Sequence, residues 1–278
     1  MLDLPFSGAL PQTKLAIEAS LQAGRKVIEI YHHEEDFEVS DKEDRSPVTM
    51  ADVVSNRTIG TILSSSQIPI LSEEGEREVK PDLTKTWIID PLDGTREFVD
   101  KNGEFTIMIS FVVDHVPLIG VIYSPVNDSL YIAQKDKGAY RYDRGKWQRL
   151  KVSNIDRVED ARAVLSRSHI TKEELDFVKY LNLHGFSRLG SSLKVLAICS
   201  GAAEIYFAAN RSIKQWDTCA SNCLITEAGG RMTDMYGSEL VYNKGSLNHE
   251  NGILATNGFL HNQIIEKSQV LRKKAFKG

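Results

Sequence analysis

One stretch restricts this chain more than any other: WIIDPLDGTREF, Trp87 to Phe98. A short apolar run ends in Asp90. Asp93 follows after Pro91 and Leu92, and Gly94 and Thr95 come next. A strand ending in Asp90 sets a carboxylate at the edge of a sheet, within reach of a cleft. Pro91 cannot donate to a β-ladder and Gly94 permits a tight reversal, so the turn can aim Asp90 and Asp93 at one point. Two like charges held that close are costly unless a cation lies between them. Oxygen donors suit a hard ion such as Mg²⁺, Mn²⁺ or Ca²⁺. The spacing departs from the D-x-[DN]-x-[DN]-G calcium loop. A site with few protein ligands and room for water and phosphate fits Mg²⁺ best. The plainer reading is that both aspartates are turn formers and nothing more.

Other acids stand at comparable places. Glu73 and Glu74 follow the apolar run Ile68–Leu71, and Asp217 opens a helix in KQWDTCASN. Each has an ordinary alternative: a solvated loop for the glutamates, a first-turn acid or cap for Asp217. Asp52 lies three residues after Thr49, a near capping box, so it is either a cap or a catalytic acid. His169, after Ser166, Arg167 and Ser168, and Lys194, after Ser191 and Ser192, are further candidates. Backbone N–H groups of Ser191 and Ser192 at the start of a helix could cradle a phosphate; otherwise this is an ordinary capped helix with an exposed lysine. Cys219 and Cys223 share a helix face, but with no third ligand nearby they read as core.

Bulk properties exclude several classes. The 278 residues are 41% hydrophobic and 26% charged, ordinary for one large or two small domains. A net charge of -4 gives no reason to expect nucleic acid or an anionic membrane as partner. Three cysteines without a C-x-x-C pair point to free thiols in a reducing compartment. The N-terminus lacks a basic leader, and no apolar run approaches the ~20 residues of a membrane span. A cytoplasmic protein is expected.

Helices are expected from about Thr13 to Tyr31 and over TMADVVSNRTIGTIL, with Thr49 as N-cap. Between them Glu34 to Arg45 reads as an exposed acidic loop. Ile68–Leu71 and Thr86–Asp90 read as strands, and an antiparallel meander runs from Phe105 to Asp143. After about Asp156 strands and helices alternate, with strands at ARAVLS, AEIYFAA and GILATN. The expected division is an N-terminal α+β domain, 1–156, and a C-terminal α/β domain, 157–278.

DPLDGTREF, SEEGE and WDTCASN…EAGGRMTD together resemble the inositol monophosphatase superfamily of metal-dependent, lithium-sensitive phosphatases. The resemblance covers nearly the whole chain. SPVTMAD, KNGEFT, SRSH and GSSLK resemble its 3'(2'),5'-bisphosphate nucleotidase branch, which removes the 3'-phosphate of adenosine 3',5'-bisphosphate, a by-product of sulfate activation. It implies an α+β fold layered αβαβα, as in the fructose-1,6-bisphosphatase type. It implies two or three Mg²⁺ ions: one on Glu73, Asp90 and the Leu92 carbonyl, a second on Asp90, Asp93 and Asp217, and a looser third on Glu73 through water. Thr95 with Asp52 would orient the attacking water, Gly94 and Thr95 N–H groups would hold the phosphate, and His169 would stack near the adenine. Ser191, Ser192 and Lys194 would take the second phosphate. The expected partner is a small phosphate ester, and the protein a monomer or homodimer. One departure weakens the alternative of an inositol or sugar monophosphatase: YFAANRSIKQ carries no acid where inositol phosphatases have a glutamate. The arginine that bacterial nucleotidases often place after the tyrosine is also missing there, Arg211 coming later. A non-catalytic protein on the same scaffold is a weak rival, because every metal acid and Thr95 is present.

Overall fold

The computed structural model describes residues 2–33, 40–41, 47–75, 83–210 and 212–275. Most of the acidic stretch from Glu34 to Arg45, and Arg211, lie outside the described residues. The helices are α1 (Pro11–His33), α2 (Met50–Leu63), α3 (Thr95–Val99), α4 (Lys172–Tyr180), α5 (Leu193–Cys199), α6 (Gln215–Glu227) and α7 (His261–Ala275). Two short strands, β1 (Ser40–Asp41) and β2 (Pro47–Val48), pair with each other. A seven-stranded sheet runs in chain order: β3 (Ile70–Ser72), β4 (Lys85–Asp93), β5 (Thr106–Val113), β6 (Val116–Ser124), β7 (Ser129–Gln134), β8 (Gly138–Asp143) and β9 (Lys146–Arg149). Within this sheet β3 and β4 pair in parallel; β5 to β8 are the expected antiparallel meander, and β9, which was not expected, extends it. The second sheet holds β10 (Ala163–Ser166), β11 (Phe186–Leu189), β12 (Ile205–Ala208), β13 (Arg231–Thr233) and β14 (Ile253–Thr256), in the order β11-β10-β12-β14-β13.

Side-chain alternation stacks these elements into five layers. Successive strand residues face opposite sides of a sheet. Ile107 and Ile109 on β5 therefore join a core with Ala16, Ala23 and Val27 of α1 and Ile59 of α2. Met108, between them, joins Ile122, Val195 of α5 and Leu224 of α6. On the second sheet Tyr206 and Ala208 face that middle core, whereas Ile205 and Phe207 face Phe177 of α4 and Ile264 of α7. The order is helices α1 and α2, the seven-stranded sheet, α5 and α6, the five-stranded sheet, then α4 and α7: an α+β, αβαβα sandwich. Gly120 on β6 lets α6 approach closely, since a Cβ there would stand 2.5 Å from the Ala220 carbonyl oxygen and 2.9 Å from Cys223 Cβ.

Three local expectations are corrected. β4 does not stop at Asp90. It runs on to Asp93, which pairs with Thr106, while Asp90 pairs with Met108. Three steps on β4 match two on β5, so one extra residue is accommodated in a bulge at Pro91-Leu92, where a missing N–H is tolerated. A five-residue helix, α3, then follows directly. β11 and β13 were not expected as strands: FSRL and RMT are short and carry arginine, leaving little apolar alternation to see.

Candidate active site

A cleft of about 810 Å³ opens where the two sheets and α6 meet. Glu73, Asp90, Leu92, Asp93, Gly94 and Thr95 line it from one side; His169, Ser191, Ser192, Lys194 and Asp217 line it from the other. Residues from five separate stretches of sequence are thus brought together, and Asp52 stands directly behind Thr95.

The bulge in β4 turns Asp90 and Asp93 into the same space. Asp90 is fully buried, and its Oδ1 accepts from the Leu92 N–H at 3.1 Å. Burial, and then the charges of Glu73, Asp93 and Asp217, push its carboxyl well above the usual carboxylate range; Glu73 also hydrogen-bonds it side chain to side chain. Asp217, in the first turn of α6, is pushed well above that range by burial and by Glu73 and Asp93, although it accepts the Lys214 N–H at 2.8 Å. Asp93 is pushed up less, to about 6: burial raises it, and the Lys194 ammonium and the Ser192 N–H, at 2.6 Å from Oδ2, oppose the rise.

Asp52 makes the contacts of a helix cap and also reaches the edge of the cleft. Its Oδ2 accepts from the Thr49 N–H at 2.8 Å and from Thr49 Oγ1 at 2.6 Å, completing the capping box of α2. Its Oδ1 accepts from Thr95 Oγ1 at 3.1 Å. Burial raises its carboxyl to about 6, against the pull of the Thr49 bonds. Thr95 can reach it because Gly94, at φ 96°, reverses the chain into α3.

Ser192 differs from expectation. Its N–H is taken by Asp93, and its hydroxyl bonds Thr106 Oγ1 at 2.7 Å, so it braces the acid instead of facing a phosphate. Lys194 is not exposed either. It is buried, donates to the Ser191 carbonyl at 2.5 Å and lies 5.3 Å from the centre of the Tyr206 ring. The Ser191 hydroxyl is buried without a hydrogen-bond partner among the described residues.

Sequence reasoning missed three glutamates at this cleft. Glu97 and Glu174 line it, and Glu104 backs it. Glu174 accepts from the Thr171 N–H at 2.9 Å and the Ala209 N–H at 3.1 Å. Its capping box with Thr171 was visible in the sequence as T-x-x-E; its reach to Ala209, 35 residues on, was not.

The donor set fits a hard divalent ion in kind. Four acids and a backbone carbonyl are gathered, and the buried Lys194 ammonium and the half-buried Lys214 leave an excess of negative charge. As they stand, no three Asp, Glu, His or Cys side chains among the described residues are close enough to hold an ion. The Glu73–Asp90 hydrogen bond requires a proton between the two carboxyls, where a cation's charge would serve equally.

The sequence pattern of the inositol monophosphatase family matches residues 10–272. The 3'(2'),5'-bisphosphate nucleotidase CysQ of Buchnera aphidicola is 36% identical over 81% of this chain and 84% of its own length. That of Shigella flexneri is 35% identical over 79% and 89%. Among solved structures, CysQ from Bacteroides thetaiotaomicron, a bacterial member of the inositol monophosphatase family, superposes with a TM-score of 0.77 at 33% identity over 88% of this chain and 96% of that one. An inositol monophosphatase from Thermotoga maritima, at 21% identity and a TM-score of 0.78, shares the fold. From bulge to cleft, and over nearly its whole length, this chain belongs to the inositol monophosphatase family.

Proposed function

We propose that this protein hydrolyses the 3'-phosphate of adenosine 3',5'-bisphosphate to AMP and phosphate, with Glu73, Asp90, the Leu92 carbonyl, Asp93 and Asp217 holding two or three Mg²⁺ ions. One observation carries the reading: four carboxylates that repel one another share a cleft with a threonine hydroxyl bonded to a buried aspartate. When bound, Mg²⁺ would neutralise the phosphate and acidify a coordinated water. Thr95 donates its proton to Asp52, which leaves oxygen lone pairs to accept from a water and so orient it. Asp52, at about 6, is poised to take a proton through Thr95 near neutral pH. The Gly94 and Thr95 N–H groups, in a turn without intrahelical acceptors, are assigned the phosphate.

The nucleotide is favoured by the names of the relatives and by the far end of the cleft. His169 lies there. Ser191 offers a buried hydroxyl that lacks an acceptor among the described residues. Lys194 adds a cation for the second phosphate. In this reading the two sheets correspond to two domains that divide near residue 156. The alternative, an inositol phosphate, needs a carboxylate for the ring hydroxyls. Ala208, Asn210, Ser212 and Ile213 supply none on that wall, and both oxygens of Glu174 already accept backbone N–H groups.

The test is phosphate release from both substrates. We expect adenosine 3',5'-bisphosphate to be preferred to inositol 1-phosphate by at least ~100-fold in kcat/KM, about 2.7 kcal/mol of transition-state binding. Lys194→Met should harm the bisphosphate alone. Comparable wild-type values, or equal losses on both substrates, would transfer the assignment to the inositol phosphatase.

A further inference from the structure

The segment that carries His169 hangs on two acids from the other side of the cleft. After β10 the chain runs through Ser166, Arg167 and Ser168 to His169. Arg167 forks onto Glu104, Nε to Oε2 at 2.6 Å and Nη2 to Oε1 at 2.6 Å. Glu104 Oε2 also accepts the Gly190 N–H at 2.6 Å, so one carboxylate fixes this segment and the turn that leads to Ser191. Ser168 Oγ donates to Glu97 Oε1 at 2.7 Å. Contact is close enough to require glycine at position 190: a Cβ there would stand 2.5 Å from Glu97 Cγ and 2.7 Å from the Glu104 carbonyl oxygen. Arg167 remains 40% exposed, so the ion pair adds little to stability. A planar, two-bond fork instead fixes direction.

We propose that Glu104, through Arg167 and Gly190, is a positioning residue for substrate choice: it sets the wall presented to the base and second phosphate, and leaves the phosphate-cleaving end alone. This rests on the nucleotidase reading, in which His169 and Ser191 meet the nucleotide. Glu104 itself touches no substrate. Its carboxyl is held below the usual range despite burial, because Arg167 and the Gly190 N–H stabilise the anion.

Glu104→Gln keeps the shape and an acceptor for Gly190 but loses the charged fork. We expect KM for adenosine 3',5'-bisphosphate to rise 5- to 10-fold with kcat changed less than twofold, and kcat/KM for p-nitrophenyl phosphate, which lacks a nucleoside, to stay within twofold. The double variant Glu104→Gln/Arg167→Met should be no worse than the single. A merely structural role would lower kcat on both substrates together by reducing the active fraction. Ser168→Ala, which cuts the second anchor, should give a smaller KM rise of the same pattern, and it decides the matter should Glu104→Gln not fold. Equal losses on both substrates, or an unchanged KM, overturn the inference while wild-type preference for the nucleotide stands. A wild type without that preference overturns the nucleotidase reading, and the inference with it.

Discussion

The acids at the cleft form two groups, an inner wall of Glu73, Asp90, Asp93 and Asp217 and an outer wall of Glu97, Glu104 and Glu174, and the two are held differently. On the outer wall Glu104 meets an arginine and a backbone N–H, and its carboxyl falls below the usual range. On the inner wall Asp90 and Asp217 meet chiefly other acids, and theirs rise far above it. Hydrogen bonds alone do not account for the difference. Glu174 on the outer wall accepts two backbone N–H groups, yet burial still raises it. Glu104 is less deeply buried than Glu174, and a guanidinium grips it directly through two hydrogen bonds, whereas the Lys194 charge acts on Glu174 without such a bond. Asp93 differs within the inner wall: with Lys194 beside it, the rise stops at about 6. Glu104, gripped by a guanidinium, braces its wall; Asp90 and Asp217, which face chiefly other acids, keep raised carboxyls that a cation's charge would relieve.

The largest expected effect comes from breaking the inner wall. Asp90→Asn should lower kcat at saturating Mg²⁺ by at least ~1,000-fold, about 4 kcal/mol, while the metal-free protein keeps or gains stability because a buried charge is removed. The pH dependence gives the sign. A carboxyl raised in the folded state costs no stability below its unfolded value near 3.8, and a growing amount as pH rises towards its folded value. The Tm of metal-free Asp90→Asn minus that of wild type should therefore be near zero at pH 4 and increase steadily above it. Taking the difference cancels the buried His249 and His261, whose imidazoles burial lowers to about 4 and which act in the opposite sense. A mutant that turns over normally, or a Tm difference flat in pH, would contradict this account of the wall.

Next in size is the pair behind it. Thr95→Ala and Asp52→Asn should each reduce kcat by about 100-fold with little change in KM, and the double mutant should be no worse than either, since one hydrogen bond joins them. Multiplicative losses in that cycle would return Asp52 to capping alone. Thr49→Ala sharpens the point. It should cost about 1 kcal/mol of stability as a lost cap and shift the acid limb of kcat upward in pH, because Thr49 donates to Asp52. The smallest effect belongs to the outer wall. Glu174→Gln should leave kcat/KM within about threefold and Tm within a degree or two, because it relieves a raised carboxyl while its single amide oxygen keeps only one of the two backbone hydrogen bonds. A large loss of activity there would show that the outer acids are more than scaffold.

Much of this was legible from residues close together in sequence. Asp90-Pro91-Leu92-Asp93-Gly94 announces a turn that gathers acids, and Thr49 with Asp52 announces a cap. The hydrogen bond that Thr95 donates to Asp52 spans 43 residues, and no local pattern encodes it. Glu104 and Arg167, 63 apart, look like ordinary surface charges until the fold joins them. Lys194 is expected at a phosphate or, on the plainer reading, in solvent; its burial beside Tyr206 comes from packing that the local sequence does not encode. β4 defeated the reading in a different way: proline usually ends a strand, but one bulge let the ladder resume at Asp93.

Helix α6 does more than carry Asp217. It packs on β4, β5, β6, β7 and β8, and with α5 it forms the middle layer between the sheets. All five of those strands precede it in the chain, and β9, the last strand of their sheet, ends at Arg149 while α6 ends at Glu227. During synthesis, at roughly 5–20 residues per second, the sheet is therefore complete for about 4–16 seconds before its cover emerges. Through that interval Met108, Ile122 and Ala133 face water or a chaperone. A ribosome that stalls between β9 and α6 would hold a sheet with one sticky face, so the order of elements along this chain makes its biogenesis sensitive to translation speed over one definable window.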